Sequence, residues 1–144
     1  MPERPISSII AKQKILTATA EISVAEAARL MKKKSVGAVM VVKDNGCLTG
    51  IFTERDAVYG VLAEGRDPKT TRLSDVMTPQ PTTIAPDKPF GHALHMMFEG
   101  GFRHVPVVED GRPIGIVSAR DALGPELREF VADLDERDRI SRVL

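Results

Sequence analysis

Apolar residues recur along this chain first at helical and then at strand spacing, and the whole succession occurs twice. Val24, Ala27, Ala28 and Met31 fall at the i, i+3, i+4, i+7 spacing of one helix face. Phe90, Ala93, Leu94 and Met97 take the same spacing one repeat length later. Ser23 with Glu26 predicts a capping box at the first helix start, and Pro89 marks the second, where its missing N–H is no loss. Each helix gives way to two short apolar runs around a turn. Residues 38–42 and 48–52 flank Asp44-Asn45-Gly46, and residues 104–108 and 113–117 flank Asp110-Gly111. Both pairs read as β-hairpins, with Asn-Gly and Asp-Gly supplying the positive φ angles of the turns. The first turn carries one residue more than the second.

Each unit closes on a short motif and a predicted second helix. Gly50-Ile51-Phe52-Thr53-Glu54-Arg55-Asp56 is answered by Gly115-Ile116-Val117-Ser118-Ala119-Arg120-Asp121. The lead-ins match as well, Ile6-Ser7-Ser8-Ile9-Ile10 against Leu73-Ser74-Asp75-Val76-Met77. An internal repeat of this length decides the architecture. The expected organisation is a first repeat over residues 6–62, a polar linker over 63–72 containing Gly65 and Pro68, and a second repeat over 73–124. Residues 125–144 follow as an amphipathic helix. There Leu127, Phe130, Val131, Leu134, Ile140, Val143 and Leu144 are spaced among charges, to pack on the domain or on a partner subunit.

Composition narrows the function. The 144 residues are 42% hydrophobic and 28% charged, an ordinary globular mix. Twenty basic and twenty acidic side chains cancel, and aromatics are 4% with no Trp, which argues against nucleic-acid binding. Lys32-Lys33-Lys34 closes a predicted helix, where positive charge suits the macrodipole. No apolar run approaches the ~20 residues of a membrane span, and Met1-Pro2-Glu3-Arg4-Pro5 lacks a signal-peptide core. Cys47 is the single cysteine, so no intramolecular disulfide forms and a reducing, cytoplasmic setting is expected.

The repeated motifs carry the candidate chemistry. Thr53 or Ser118 with a carboxylate three residues on stabilises a helix start without any ligand. The same geometry offers a hydroxyl, N–H groups and Arg55 or Arg120 to a phosphate, and Asp56 or Asp121 to a ribose diol. Capping needs neither the Arg nor a specific Asp, yet physics alone leaves the two readings even. Catalytic signatures are missing from the sequence: no Gly-x-Ser-x-Gly elbow, no Gly-rich phosphate loop, no Cys-x-x-Cys. His92 and His95 share a helix face at a spacing that could hold a metal, but no third ligand is near in sequence, so no metal is expected.

The runs Val36-Gly37-Ala38-Val39-Met40-Val41-Val42 and Phe102-Arg103-His104-Val105-Pro106-Val107-Val108, each followed by its motif, resemble CBS domains. So does the lead-in Val76-Met77-Thr78-Pro79. The likeness covers roughly residues 6–124, and the chain is similar to a stand-alone CBS pair, the Bateman module. That resemblance implies an α/β (α+β) fold of two βαββα repeats related by pseudo-twofold symmetry, with two clefts between them and the C-terminal helix appended. It implies an adenosine ligand such as AMP, ADP, ATP, NAD(H) or S-adenosylmethionine, and no catalytic cofactor. Thr53 with Asp56, and Ser118 with Asp121, would hold ribose and phosphate. Leu16, Val36, Gly37 and Ala38 would line the Ser118/Asp121 cleft. Met77, Thr78, Phe102 and Arg103 would line the Thr53/Asp56 cleft. Ile51 and Ile116 would face the pockets, and Arg55, Arg120, Arg103 and His104 would reach phosphate. Met40 against Pro106 is a departure that makes the two strands, and the two clefts, unequal.

The expected function is a non-catalytic, homodimeric sensor that relays energy or redox state to a protein target through an adenine nucleotide, with no nucleic acid or membrane partner. The alternative is a CBS-pair dimerisation or interaction module with no obligatory ligand.

Overall fold

The computed structural model describes residues 3–143, with side chains through residue 140. Met1, Pro2, the Val143 side chain and Leu144 lie outside the described residues. The elements run α1 (Ile6–Ile10), β1 (Thr17–Ala18), α2 (Val24–Lys34), β2 (Ala38–Val42), β3 (Leu48–Thr53) and α3 (Glu54–Asp56), which continues as a wide helical turn over Ala57–Leu62. Then come α4 (Leu73–Val76), β4 (Thr78–Pro79), α5 (Phe90–Gly100), β5 (His104–Glu109), β6 (Arg112–Ser118), one 3-10 turn (Ala119–Asp121) and α6 (Gly124–Val143). This is the expected mixed order of helices and strands, given twice and closed by a C-terminal helix.

The local signals act as the chemistry dictates. Ser23 caps α2 by accepting from the Glu26 N–H at 3.1 Å, Ser35 ends it in the left-handed region, and Lys32, Lys33 and Lys34 fill its last turn. The second hairpin turn has positive φ at both Asp110 and Gly111. The first has it at Gly46 alone. Its extra residue allows a wider turn in which Gly46 N–H donates to the Lys43 carbonyl. Asn45 instead offers its side-chain oxygen to the Cys47 N–H at 3.0 Å.

The repeats exchange their lead-ins. Ile6 and Ile10 of α1 are buried with Ile84, Phe90, Leu94, Met97, Val105, Val107 and Val117, in the core of the second repeat. Leu73 of α4 is buried with Leu16, Val24, Met31, Val39, Val41, Phe52 and Val61, in the core of the first. Strand pairing follows the exchange: the first sheet has the order β1-β2-β3-β4, so a strand of the second repeat completes it. The residues 63–72 are not a loose tether. Thr71 is buried, and its carbonyl accepts from Val24 N–H at the start of α2.

Met40 against Pro106 has the structural consequence its chemistry requires. Met40 N–H donates to the Leu16 carbonyl at 3.0 Å, which anchors the parallel pairing of β1 with β2. Pro106 has no N–H to give. The matching segment of the second repeat is accordingly a single bridge, Ile84 to Val107, beside a two-stranded sheet. The strand expected at the start of the second βαββα unit is reduced to that bridge. A second asymmetry lies at the closing helices. Gly124-Pro125 follows the second motif, and Pro125 suits the first turn of a new helix rather than the interior of a continuing one. There the chain makes one 3-10 turn, extends at Ala122 and only then starts α6.

α6 rests on α5 through Phe130, whose ring meets His95 edge-on at 4.9 Å and Phe98 at 6.0 Å. His95 also lies 3.8 Å from Asp133, so it serves this helix contact, while His92 is exposed. Arg4 ties down the start of α6 with a forked contact to Glu126, at 2.7 and 3.1 Å, and donates to the Asp121 carbonyl. The Arg4 hydrogen bond holds the Glu126 carboxyl below its usual value, and Glu126 raises Arg4 in return. A depressed carboxylate contributes stability above its unfolded value, about 4.3, and loses it as pH falls through the folded value. Glu126→Gln is therefore expected to lose about 1 kcal/mol at pH 7, discounted for partial exposure. The difference should shrink in urea titrations as pH falls below the ordinary carboxylate range; a gap that does not shrink would show that the ion pair is not its source.

Among the described residues, no helix is long and apolar enough to cross a membrane.

Candidate functional site

Both motifs lie where a strand hands over to a helical turn, and each is shaped by reciprocal capping. Thr53 Oγ1 accepts from the Asp56 N–H at 3.3 Å, while Asp56 Oδ2 accepts from the Thr53 N–H at 2.9 Å and its hydroxyl at 3.1 Å. Asp121 Oδ2 accepts from the Ser118 N–H at 2.8 Å. Capping thus uses the same oxygen of each aspartate. The half-buried carboxylates keep Oδ1 for another donor, with no hydrogen bond to it among the described residues.

The exchanged lead-ins bring the other repeat to each motif. Thr78 pairs with Ile51 in the sheet, and Met77 packs over Gly50, where a Cβ would lie 2.5 Å from its sulfur. On the other side Gln13 clamps the Ile116 backbone: its amide donates to the carbonyl at 2.7 Å and accepts from the N–H at 2.9 Å. Ile10 lies over Gly115, where a Cβ would be 2.6 Å from its Cβ. The two glycines let a neighbouring element sit directly on the strand that leads into each motif. Nothing in the sequence alone marks Gln13, because its partner is a backbone in the other repeat.

The remaining candidates divide. Ala38 pairs with Thr53 and His104 with Ser118, so the first hairpin strand of each repeat is bonded to that repeat's own motif. Cross-repeat reach comes from Gly37, where a side chain would meet both Glu54 Oε1 at 2.8 Å and His104 Nε2 at 3.6 Å. Burial pushes His104 below its ordinary value; Glu54 and Asp121 oppose the shift, and Arg120 and Arg103 add to it. Arg103 and Arg120 are exposed, and Arg55 leans over the Tyr59 ring at 5.5 Å. Leu16 packs in the first repeat's core with Val36 half-buried against it, and Phe102 lies half-buried against the second's. Glu54, absent from the sequence-derived set, stands at the seam between the repeats.

A groove at Glu3, Arg4, α5 and α6 holds about 150 Å³, less than the ~300 Å³ at the low end of ligand pockets.

Comparison with known proteins adds the family. The CBS-domain profile matches residues 6–62 and 73–124. The mitochondrial CBS domain-containing protein CBSX3 of Arabidopsis thaliana is 33% identical over 123 residues, 83% of this chain and 60% of that protein. The chain spans less than two thirds of the length of such curated relatives, and 20% of another Arabidopsis protein, CBSCBSPB2. Among solved structures, ATU1752 of Agrobacterium tumefaciens superposes with a TM-score of 0.75 at 32% identity, covering 82% of this chain and 95% of that one. The CBS domain pair of protein MJ0100, determined in complex with 5′-methylthioadenosine and S-adenosyl-L-methionine, superposes with a TM-score of 0.76 at 30% identity. It covers 83% of this chain and 93% of that one.

Proposed function

The chain belongs to the CBS-domain family as a tandem pair, and on that premise we propose that it is a non-catalytic regulatory module binding an adenosine ligand between its repeats. The observation that carries this reading is the doubled Thr/Ser-x-x-Asp motif, with each copy flanked by the lead-in of the other repeat. A ligand held there touches both repeats at once. Its differential affinity for two arrangements of the repeats is then what shifts their population. Thr53 with Asp56, and Ser118 with Asp121, hold the ribose. Ile51, Met77 and Thr78 line one cleft, Ile116 and Gln13 the other, and Arg103, His104 and Arg120 serve phosphate. The ligand bound by the MJ0100 pair supports an adenosine-type compound here. AMP, ADP, ATP and NAD(H) are the nucleotide members of that class. The module works as a homodimer in the cytoplasm, where the lone Cys47 stays reduced.

One observation favours the interaction-module reading as well. Leu127, Val131 and Ile140 stand exposed on α6, a helix tethered mainly near its start and along one side. In that reading α6 presents the module to a protein target whether or not the clefts are filled.

Thermal unfolding of nucleotide-stripped protein separates the two. A ligand at about 100 times its Kd adds roughly 2.7 kcal/mol, a rise on the order of 5–10 °C for a domain of this size. That rise is expected for at least one adenosine compound at millimolar concentration. A flat response to AMP, ADP, ATP, NAD, NADH and S-adenosylmethionine would leave only the interaction reading.

A further inference from the structure

α6 sorts its residues onto two faces. Glu126, Phe130, Asp133 and Arg137 recur at i, i+4, i+7 and i+11, one side of a helix, and each meets the body of the protein. Arg4 holds Glu126, Phe130 packs on His95 and Phe98, and Asp133 and Arg137 approach His95 and Glu99. About 100° round the helix runs a second stripe, Leu127, Val131 and Leu134, again at i, i+4 and i+7. It is uncovered: Leu127 is 43% exposed, Val131 52%, and Leu134 is half-buried. Phe98, itself exposed, touches Phe130 and continues the apolar surface onto α5. Arg128 and Asp135 border the stripe on the side turned away from α5, both exposed and neither in an ion pair among the described residues. Seven positions apart, about 10 Å along the axis, they cannot reach each other within one helix.

We propose that this stripe docks a second copy of the chain, α6 against α6 and antiparallel. Turned end for end about an axis midway between Arg128 and Asp135, the stripe is its own complement. Arg128 of each copy then faces Asp135 of the other, Val131 lies beside the axis, and Leu127 of one copy lies next to Leu134 of the other. Charged residues beside an apolar seam fix the orientation of two helices in this way. A parallel pairing would set the Arg128 flank against the side of the partner helix that already rests on α5. A foreign helix would have to carry both charges in the same order; a second copy carries them by symmetry. The apolar seam supplies most of the affinity, because exposed ion pairs contribute little. The seam is small, so a dissociation constant on the order of 10–100 µM is expected. The inference rests on the homodimer of the reading above, for which it supplies the surface, and holds whether or not a cleft is filled.

Sedimentation equilibrium of the full chain, from about 5 to about 500 µM, tests this on wild type, Arg128→Asp, Asp135→Arg, the double swap and Val131→Asp. Wild type is expected to dimerise reversibly across that range. Each single swap sets like charges opposite one another at both ends of the seam and should weaken pairing about tenfold. The double swap exchanges the two charges and should return to within about threefold of wild type. An equimolar mixture of the two single variants should also pair, although neither pairs well alone, because each then meets the opposite charge at both ends. Val131→Asp puts two carboxylates beside the axis and should leave a monomer with unchanged circular dichroism. A dimer indifferent to every variant would overturn the inference and leave the homodimer standing on another surface. Weakening by the single swaps with no recovery in the double swap or the mixture would overturn it too, since the charges would not then act across a twofold axis. A wild type monomeric at about 500 µM would overturn the inference and the homodimer together, and would return the stripe to a foreign partner.

Discussion

Gly115→Ala is expected to destabilise the protein by about 2 kcal/mol, against the usual small effect of a Gly→Ala change in a strand. Gly115 is buried, and its backbone is not in the left-handed region, so the main chain itself accepts alanine. Replacing glycine at such a place normally stabilises by about 0.4–1 kcal/mol through the unfolded chain. Here the new methyl would lie 2.6 Å from both Cβ and Cγ2 of Ile10, atoms fixed to the α1 backbone. Overpacking wins, and its outlet is displacement of α1, which carries Ile6 and Ile10 out of the second core. Gly50→Ala is the internal control. Its nearest neighbour is the Met77 sulfur, part of a flexible side chain that can swing aside, though the Thr78 carbonyl oxygen at 3.1 Å limits the relief. It should cost about half as much. Urea unfolding measures both values, and hydrogen exchange should show α1 losing protection in Gly115→Ala first. Equal losses in the two variants would contradict the rigid seat of Ile10 on Gly115 as the source of the difference.

Asp56→Asn and Asp121→Asn are expected to lower affinity for the adenosine ligand by about 10- to 100-fold in the cleft each serves, with stability nearly unchanged. Asparagine separates the two duties of these residues. Its amide oxygen can still accept from the Thr53 or Ser118 N–H, so the turn stays capped. What remains is an NH2 group, which donates and cannot accept from a ribose hydroxyl. A charge-assisted hydrogen bond contributes about 1.5–3 kcal/mol, which sets the size of the loss. Alanine would remove the cap as well and mix about 1 kcal/mol of helix-start stability into the result. Equilibrium titration and urea unfolding on the same preparations read the two effects apart. Loss of stability without loss of affinity would make both motifs caps and nothing more.

Features written within one repeat were legible from the chain itself. The helix faces of α2 and α5, the Ser23 cap, both hairpins and α6 each rest on residues a few positions apart, and each is present. Features that depend on the other repeat were not. α1 and α4 are five and four residues long, and an Ile or Leu on so short a helix does not say whose core it enters. Exchange follows from the tertiary arrangement, as does the Gln13 clamp. Leu16 sits in the core of the first repeat, and Val36 and Phe102 lie half-buried against the core of their own repeat. Glu54 reads in sequence as an ordinary acidic residue in a first helical turn. Only the empty α-carbon of Gly37 and the approach of His104 give it a place in the site. The difference between Met40 and Pro106 pointed to unequal strands, and the pairing at the start of the second repeat is the single Ile84–Val107 bridge.

The measurement that bears most directly on the central claim is calorimetric titration of nucleotide-stripped wild-type protein with AMP, ATP, NAD, NADH, S-adenosylmethionine and 5′-methylthioadenosine, repeated on the Asp56→Asn, Asp121→Asn double variant. The account predicts saturable binding of at least one of these compounds, lost or weakened on the order of 100-fold or more in the double variant. No heat from any of them at millimolar concentration, or binding undiminished in the double variant, would contradict it.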